Sequence, residues 1–151
     1  MGKPAGGGIV QRPRQLQHAA ARVSCVLVLD DDPGYAAHVK QFLETRGLYV
    51  ETAISSADAQ RKLQGGMRRR KPFGIIVSDL QLGNDYRDGT DVLEDAKKAC
   101  PDIVTILMSS MATTTVHGDP DLPIDAKLHK NGETTLPVLA ALIETLQQYR
   151  H

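Results

Sequence analysis

The sequence predicts an α/β fold, a doubly wound five-stranded parallel sheet of strand order 2-1-3-4-5. Three observations predict it. Short apolar runs rich in β-branched residues recur along the chain, the pattern of strands buried on both faces. Segments with helical spacing of apolar residues separate them, and crossovers through helices make parallel pairing the natural solution. Several of the runs stop at an acidic or hydroxyl residue, which gathers polar groups at the carboxyl ends of the strands, where such sheets bind ligands.

Val23 to Leu29 is the first strand and stops at Asp30, Asp31 and Asp32. Pro33 suits the first turn of a helix, in which Ala36, Val39, Phe42 and Leu43 recur at helical spacing before Gly47 ends it. A second strand reads from about Leu48 to Ala53. Ser55, with Asp58 three residues on, resembles a capping box that opens a helix through Leu63, and Gly65 and Gly66 are expected to end it. The run from Phe73 to Val77 is the third strand, closed by Ser78 and Asp79. Thr90 can cap a helix from about Asp91 to Cys100, which Pro101 breaks. Ile103 to Met108 is the fourth strand, ending at Ser109 and Ser110.

After Ser110 the pattern weakens, because Thr113 to Thr115 are poor helix formers and Gly118, Asp119 and Pro120 interrupt any helix. A short or irregular fourth helix is expected there. Ile124 to His129 is the fifth strand, and Thr134 to Tyr149 a final helix with Val138, Leu139, Leu142, Ile143 and Leu146 on one side. The flavodoxin-like order puts the switch point between strands 1 and 3, so Asp30, Asp31 and Asp79 should meet there.

At 151 residues the chain is near the common size of one domain. Residues 1–22 carry Lys3, Arg12, Arg14 and Arg22 and no acid, which leaves 14 of the 18 basic residues against all 18 acidic ones in the remainder. Residues 1–22 read as a flexible N-terminal extension and 23–151 as the domain. No apolar run approaches the roughly 18 to 20 residues of a spanning helix, so no membrane partner is expected. Two cysteines, Cys25 and Cys100, without a metal-ligand spacing, fit a cytoplasmic protein, with Cys25 packed in the core. Arg68 to Lys71 is a short cationic run without interleaved aromatics, read as solvated rather than as a nucleic-acid contact. His129, with no second histidine at ligand spacing, reads as surface.

Clustered carboxylates repel one another unless a cation neutralises them, and magnesium favours oxygen ligands, one or two carboxylates and phosphate. Asp31 and Asp79 are the candidate ligands, with Asp30 supporting. A carboxylate can also attack phosphorus to form an aspartyl phosphate when cationic groups stabilise the transferring oxygens. Asp79 is central enough to do so, Lys130 could neutralise phosphoryl charge, and the Ser109 hydroxyl could donate a hydrogen bond to it. Taken singly, each has a blander reading: an aspartate after a strand as a helix cap, a solvated lysine, a strand-end hydroxyl bonded to backbone. Their joint placement after strands 1, 3, 4 and 5 argues against coincidence.

With these residues placed, the sequence from about Val23 to Tyr149 resembles the receiver domain of two-component response regulators. VLVLDDDP is similar to the acidic-pair motif after strand 1, IIVSDLQL to the phosphoacceptor motif, ILMSS to the Ser/Thr-plus-small motif, and LPIDAKLHK to the segment ending in the family's lysine. The 30 residues from Asp79 to Ser109 and 21 from Ser109 to Lys130 are receiver-like. The resemblance implies phosphorylation at Asp79, with magnesium on Asp31, Asp79 and the Gln81 backbone carbonyl. It also implies a phosphoryl contact from Lys130, a switching hydroxyl at Ser109, and Asp30 completing the acidic pocket. Such a domain is a phosphoacceptor in signalling, not an enzyme acting on other substrates. Its donor would be a sensor histidine kinase or histidine phosphotransfer protein, and its output would pass to a downstream protein or through self-association.

Some positions depart from the family pattern. Lys127 stands where the switching aromatic is usual, and Asn131 where a proline usually follows the lysine, so a cis peptide, which costs about 3 to 4 kcal/mol without proline, is not expected. The loop from Gly83 to Asp88 lacks the common proline and is two residues longer before Gly89. These departures motivate a rival reading, a phosphorylation-independent interaction module of the same fold. A second rival, a haloacid-dehalogenase-type phosphohydrolase, would use Asp30 as nucleophile and Asp32 as acid/base; Pro33 and Gly34 after the acids, and the small chain, argue against it.

Overall fold

The structure is a computed structural model and describes residues 25–83, 85, 87–110 and 123–148. Its elements in chain order are β1 (Cys25–Leu29), α1 (Pro33–Glu44), β2 (Tyr49–Ala53), α2 (Ser56–Arg68), β3 (Ile75–Asp79), α3 (Gly89–Ala99), β4 (Val104–Ser109), β5 (Ala126–His129), a 3-10 turn (Gly132–Thr134) and α4 (Thr135–Gln148). The five strands form one sheet in the order β2-β1-β3-β4-β5, with every neighbouring pair parallel. The doubly wound order expected from the sequence is therefore the one observed. The extension assigned to residues 1–22 and the irregular helix expected over 113–120 both lie outside the described residues.

Strand side chains alternate between two cores. Val26, Val28, Ile75, Val77, Ile106 and Met108 face one side, where α1 brings Val39 and Leu43 and α4 brings Leu139 and Ile143. Leu27, Leu29, Ile76 and Leu107 face the other, met by Ala59 and Leu63 of α2 and by Leu93 and Ala96 of α3. Cys25 packs against the second core and is only partly buried. Both faces are covered, which is why the strands read as continuous apolar runs rather than as alternating ones. Thr105 of β4 is the buried polar exception, its hydroxyl donating to the Pro123 carbonyl at 2.7 Å; the other buried polar residues of β1, β3 and β4 stand at their carboxyl ends.

Helix boundaries depart from the sequence expectations in two places, the end of α2 and the start of α3. Ser55 caps α2 as expected, its Oγ accepting from the Asp58 amide at 3.1 Å, while the Asp58 carboxylate accepts from the Ile54 amide at 3.2 Å instead of closing the box on Ser55. The helix then runs through Gly65 and Gly66 to Arg68 instead of ending at the glycines. Both are buried, and a Cβ on Gly66 would stand 2.9 Å from the Lys71 carbonyl oxygen, so the chain folds back on a helix surface that only glycine leaves clear. Helix α3 starts at Gly89 and is capped by Asp88, not Thr90: Asp88 Oδ1 accepts from the Asp91 amide at 3.1 Å and Asp91 Oδ2 from the Asp88 amide at 3.2 Å. That reciprocal box satisfies two amides at once, which Thr90 inside the first turn could not do. In α4, Val138 is 47% exposed, and Leu136, Leu139, Ala140 and Ile143 form the buried face.

The two α2 glycines should respond oppositely to alanine. At Gly65 the nearest atom to a new Cβ is the flexible Arg69 Nη1, at 3.1 Å, so Gly65→Ala should stabilise by about 0.5–1 kcal/mol through helix propensity. Gly66→Ala meets backbone and should destabilise by about 1–3 kcal/mol. Urea unfolding midpoints of the two variants check this; a loss at both positions would contradict the packing described.

Candidate functional site

Three strands deliver the site. After β1 the chain turns at Asp30, which is buried: its amide donates to the Ala53 carbonyl at 3.0 Å and its Oδ1 accepts from the Asp32 amide at 2.9 Å. Asp31 follows and is exposed. Asp32 is committed to α1, accepting from the Gly34 and Tyr35 amides at 3.0 and 3.2 Å. β3 ends at Asp79, whose side chain is 14% exposed. Lys130 follows β5, and its amide donates to the Ser109 carbonyl at 2.8 Å, which fixes where the lysine leaves the sheet.

The Lys130 ammonium bridges the acids, 3.0 Å from Asp30 Oδ2 and 3.1 Å from Asp79 Oδ1. Carboxylate oxygens of Asp30, Asp31 and Asp79 lie within 4.8 Å of one another. The structure thus brings together Asp30, Asp31, Asp79 and Lys130. Ser109 is buried at the end of β4, one residue beyond Met108, the register partner of Asp79. Gln81 lines a solvent-open cleft with Asp31 and Asp79.

The loop after β3 is shaped for this cleft. Gly83 has φ +62°, which favours glycine, and a Cβ there would displace the Asp31 carboxylate from its present position. Asp85 accepts from the Ser56 amide at 2.8 Å and from the Arg87 amide at 3.1 Å, and Arg87 is paired with Asp95 of α3. The hydrogen bond from the Ser56 amide holds the Asp85 carboxyl below its ordinary range. The lengthened loop is therefore tied to α2 and to α3. At its far end the Gly89 amide donates to the Leu80 carbonyl at 2.8 Å, and the Leu80 amide to the Met108 carbonyl at 2.7 Å.

Burial pushes the Asp79 carboxyl above its ordinary value; Lys130 opposes the shift, and the charges of Asp30 and Asp31 add to it. Burial also works against the Lys130 charge, but hydrogen bonds and attraction to Asp30 and Asp79 outweigh it and leave the lysine above its ordinary value. Because the folded value of Asp79 exceeds the unfolded one, the ionised group costs stability as pH rises through that window and costs nothing where both states are protonated. Asp79→Asn should therefore stabilise the protein at pH 7, by something of order 1 kcal/mol, and the gain should fade below the ordinary carboxylate range. Thermal melts across that range check both halves.

Sequence reasoning missed Tyr35, whose ring lies 4.3 Å from the Lys130 ammonium. The available signal was its place one turn into the helix that begins beside the acidic pair. Asp30, read from the sequence as completing the acidic pocket, also holds Lys130 directly, at 3.0 Å. Lys127, on β5 with a half-buried side chain, and Asn131, in an all-trans stretch, occupy the positions described above. His129 places Nε2 3.2 Å from the Ser110 carbonyl oxygen. Arg68 to Lys71 are exposed, as expected of a solvated run, and Arg70 turns the chain with φ 59°. Among the described residues no helix is long and apolar enough to cross a membrane. Asp32, spent on the cap of α1, is not placed for the acid/base work that a haloacid-dehalogenase reading requires.

Residues 26–121 match the family model of the response regulator receiver domain. The alginate biosynthesis transcriptional regulatory protein AlgB of Pseudomonas putida is 31% identical over 101 residues, 67% of this chain and 20% of that protein. The transcriptional regulatory protein GlrR of Escherichia coli is 29% identical over 85 residues, 56% of this chain and 18% of that protein. The chain thus spans about a fifth of the length of these curated relatives. A CheY-like receiver domain protein of Methanospirillum hungatei superposes with a TM-score of 0.69 at 22% identity, covering 85% of this chain and 96% of that one. The chain belongs to the response regulator receiver domain family. It is a signalling domain of two-component type with an acidic pocket at the carboxyl ends of β1 and β3.

Proposed function

We propose that this domain takes a phosphoryl group onto Asp79 and passes the signal to a partner by changing shape. The observation that carries this reading is the Lys130 bridge between Asp30 and Asp79, with Asp31 completing a carboxylate set inside 4.8 Å. In the transfer an Asp79 carboxylate oxygen forms a bond to phosphorus as the donor's bond to phosphorus breaks, the donor leaving with the bonding pair. Lys130 meets the negative oxygens that arrive, and the Ser109 hydroxyl donates to one of them.

The residues present fit a divalent cation. Three carboxylates crowded together with a single ammonium leave uncompensated negative charge, all donors are hard oxygens, and Gly83 keeps side-chain atoms off Asp31. Asp31, Asp79 and the Gln81 backbone carbonyl would hold Mg2+, with Asp30 supporting. When bound, the ion supplies positive charge to the phosphoryl oxygens. The donor is a sensor histidine kinase or a histidine phosphotransfer protein, the setting is the cytoplasm, and output goes to a downstream protein or through self-association.

Intact mass after incubation with magnesium and a small phosphoryl donor or a cognate kinase tests the reading. Wild type should gain a labile adduct of about 80 Da, the mass of one phosphoryl group. Asp79→Asn should gain none. Absence of the adduct in folded wild type with every donor would overturn the phosphoacceptor reading in favour of a module that binds its partner without phosphorylation.

A further inference from the structure

We propose that Tyr35 is a positioning residue for Lys130, its ring face holding the ammonium over Asp30 and Asp79. The proposal rests on the phosphoacceptor reading of Asp79. A lysine head group on a flexible four-carbon stem has three donors and no fixed direction. Here two sides of the ammonium are taken by carboxylates, and the ring covers another at 4.3 Å, well inside the roughly 6 Å over which an aromatic face attracts a cation. The lysine side chain is left 19% exposed.

The ring is itself held in place. Its backbone amide donates to Asp32 Oδ1 at 3.2 Å, so the cap that starts α1 also sets the ring's height above the acids. The side chain packs, partly buried, against the core that contains Val26, Val28 and Val77. Aspartates 30 and 31 and the ring that restrains their counter-charge thus come from one short stretch of chain. Partial burial raises the phenol above its ordinary value; Lys130 opposes the shift and the charges of Asp30 and Asp79 add to it, so the ring stays neutral.

Neutrality is what suits the role. A third carboxylate beside Lys130 would also hold it, but would compete with an incoming phosphoryl group for the same positive charge. The ring attracts the cation without cancelling it. As Asp79 becomes an acyl phosphate, its carboxylate charge is lost and the ammonium follows the negative charge to a phosphoryl oxygen. The ring contact can persist through that exchange, so Lys130 pivots within the site instead of swinging to solvent.

The test compares wild type, Tyr35→Phe, Tyr35→Leu and a Tyr35→Phe series with increasing ring fluorination, which drains the ring face of negative potential at nearly constant shape. In metal-free protein the Lys130 ε-methylene protons should be shifted upfield by the ring in wild type and Tyr35→Phe, and not in Tyr35→Leu. With magnesium and a small phosphoryl donor, adduct formation should be roughly three- to tenfold slower in Tyr35→Leu, the range a half-buried cation–π contact supports. Tyr35→Phe should restore it to near wild type, and the rate should fall stepwise with fluorine number. Absence of the upfield shift in wild type overturns the proposal, as does an unchanged rate in Tyr35→Leu. A slow Tyr35→Leu with a flat fluorine series also overturns it, because filling space would then explain the loss. A wild type that takes up no phosphoryl group from any donor overturns the phosphoacceptor reading of Asp79 alone when the ring-current shift survives, and overturns both readings when the shift is absent as well.

Discussion

Lys130→Met is expected to abolish most phosphoryl uptake and to weaken the fold at neutral pH, both from the loss of one ammonium group. Uptake should fall by roughly 100-fold or more, the usual cost of removing a positioned group that faces developing negative charge. Stability should fall by about 2–4 kcal/mol, because breaking a largely buried ion pair strands the remaining charge. The stranded charges are those of Asp30, buried, and Asp79, 14% exposed. Without Lys130 to oppose it, the upward shift of the Asp79 carboxyl grows, so the variant's deficit should shrink as pH is lowered and a proton takes the place of the ammonium. Millimolar magnesium should narrow it too. Urea unfolding at two pH values, with and without the ion, measures this; a deficit independent of both would mean that Lys130 acts through packing alone.

The second large effect is expected at Gly89, the first residue of α3. A Cβ there would sit inside contact distance of the Asp79 carbonyl oxygen and 2.9 Å from Ser78 Oγ. Neither neighbour can yield easily, since the next residue, Leu80, is bonded on one side to Met108 and on the other to Gly89 itself. Gly89→Ala should cost about 2–3 kcal/mol and slow phosphoryl uptake by tilting the end of β3. Gly47→Ala is the proper comparison. Gly47 has φ +83° but nothing within 4 Å of a new Cβ, so only backbone strain of about 1 kcal/mol applies. Equal losses at the two positions would contradict the close approach at Gly89.

The strands were legible because each is a short apolar run that stops at a polar residue, and burial on both faces is what makes such a run continuous. The acids and the lysine followed directly, since ends of parallel strands with the same direction lie at one edge. Helix limits were less legible where packing overrode local preference. Gly65 and Gly66 look like a stop, yet the helix runs through both, and Gly66 is where the chain comes closest to its own return at Lys71. Asp88 was passed over for Thr90 because the reciprocal bond with Asp91 shows only once the backbone is placed. Val138 sits at core spacing but turns outward, since the face of a helix is chosen by what it packs on. Tyr35 was invisible for a related reason: its meaning depends on a lysine 95 positions away in the chain.

The bond between Lys130 and Asp30 spans 100 residues of chain, and that separation has a kinetic meaning. Long-range closures are made late, after local helices and adjacent strands have lowered the entropy of bringing distant segments together. β5 lies at the sheet's edge, paired with β4, and that placement is what brings the lysine to the acids. A nascent or truncated chain that lacks this last strand holds three repelling aspartates and no ammonium among them. The site is therefore complete only when the last strand is in place, because its one ammonium group enters from β5.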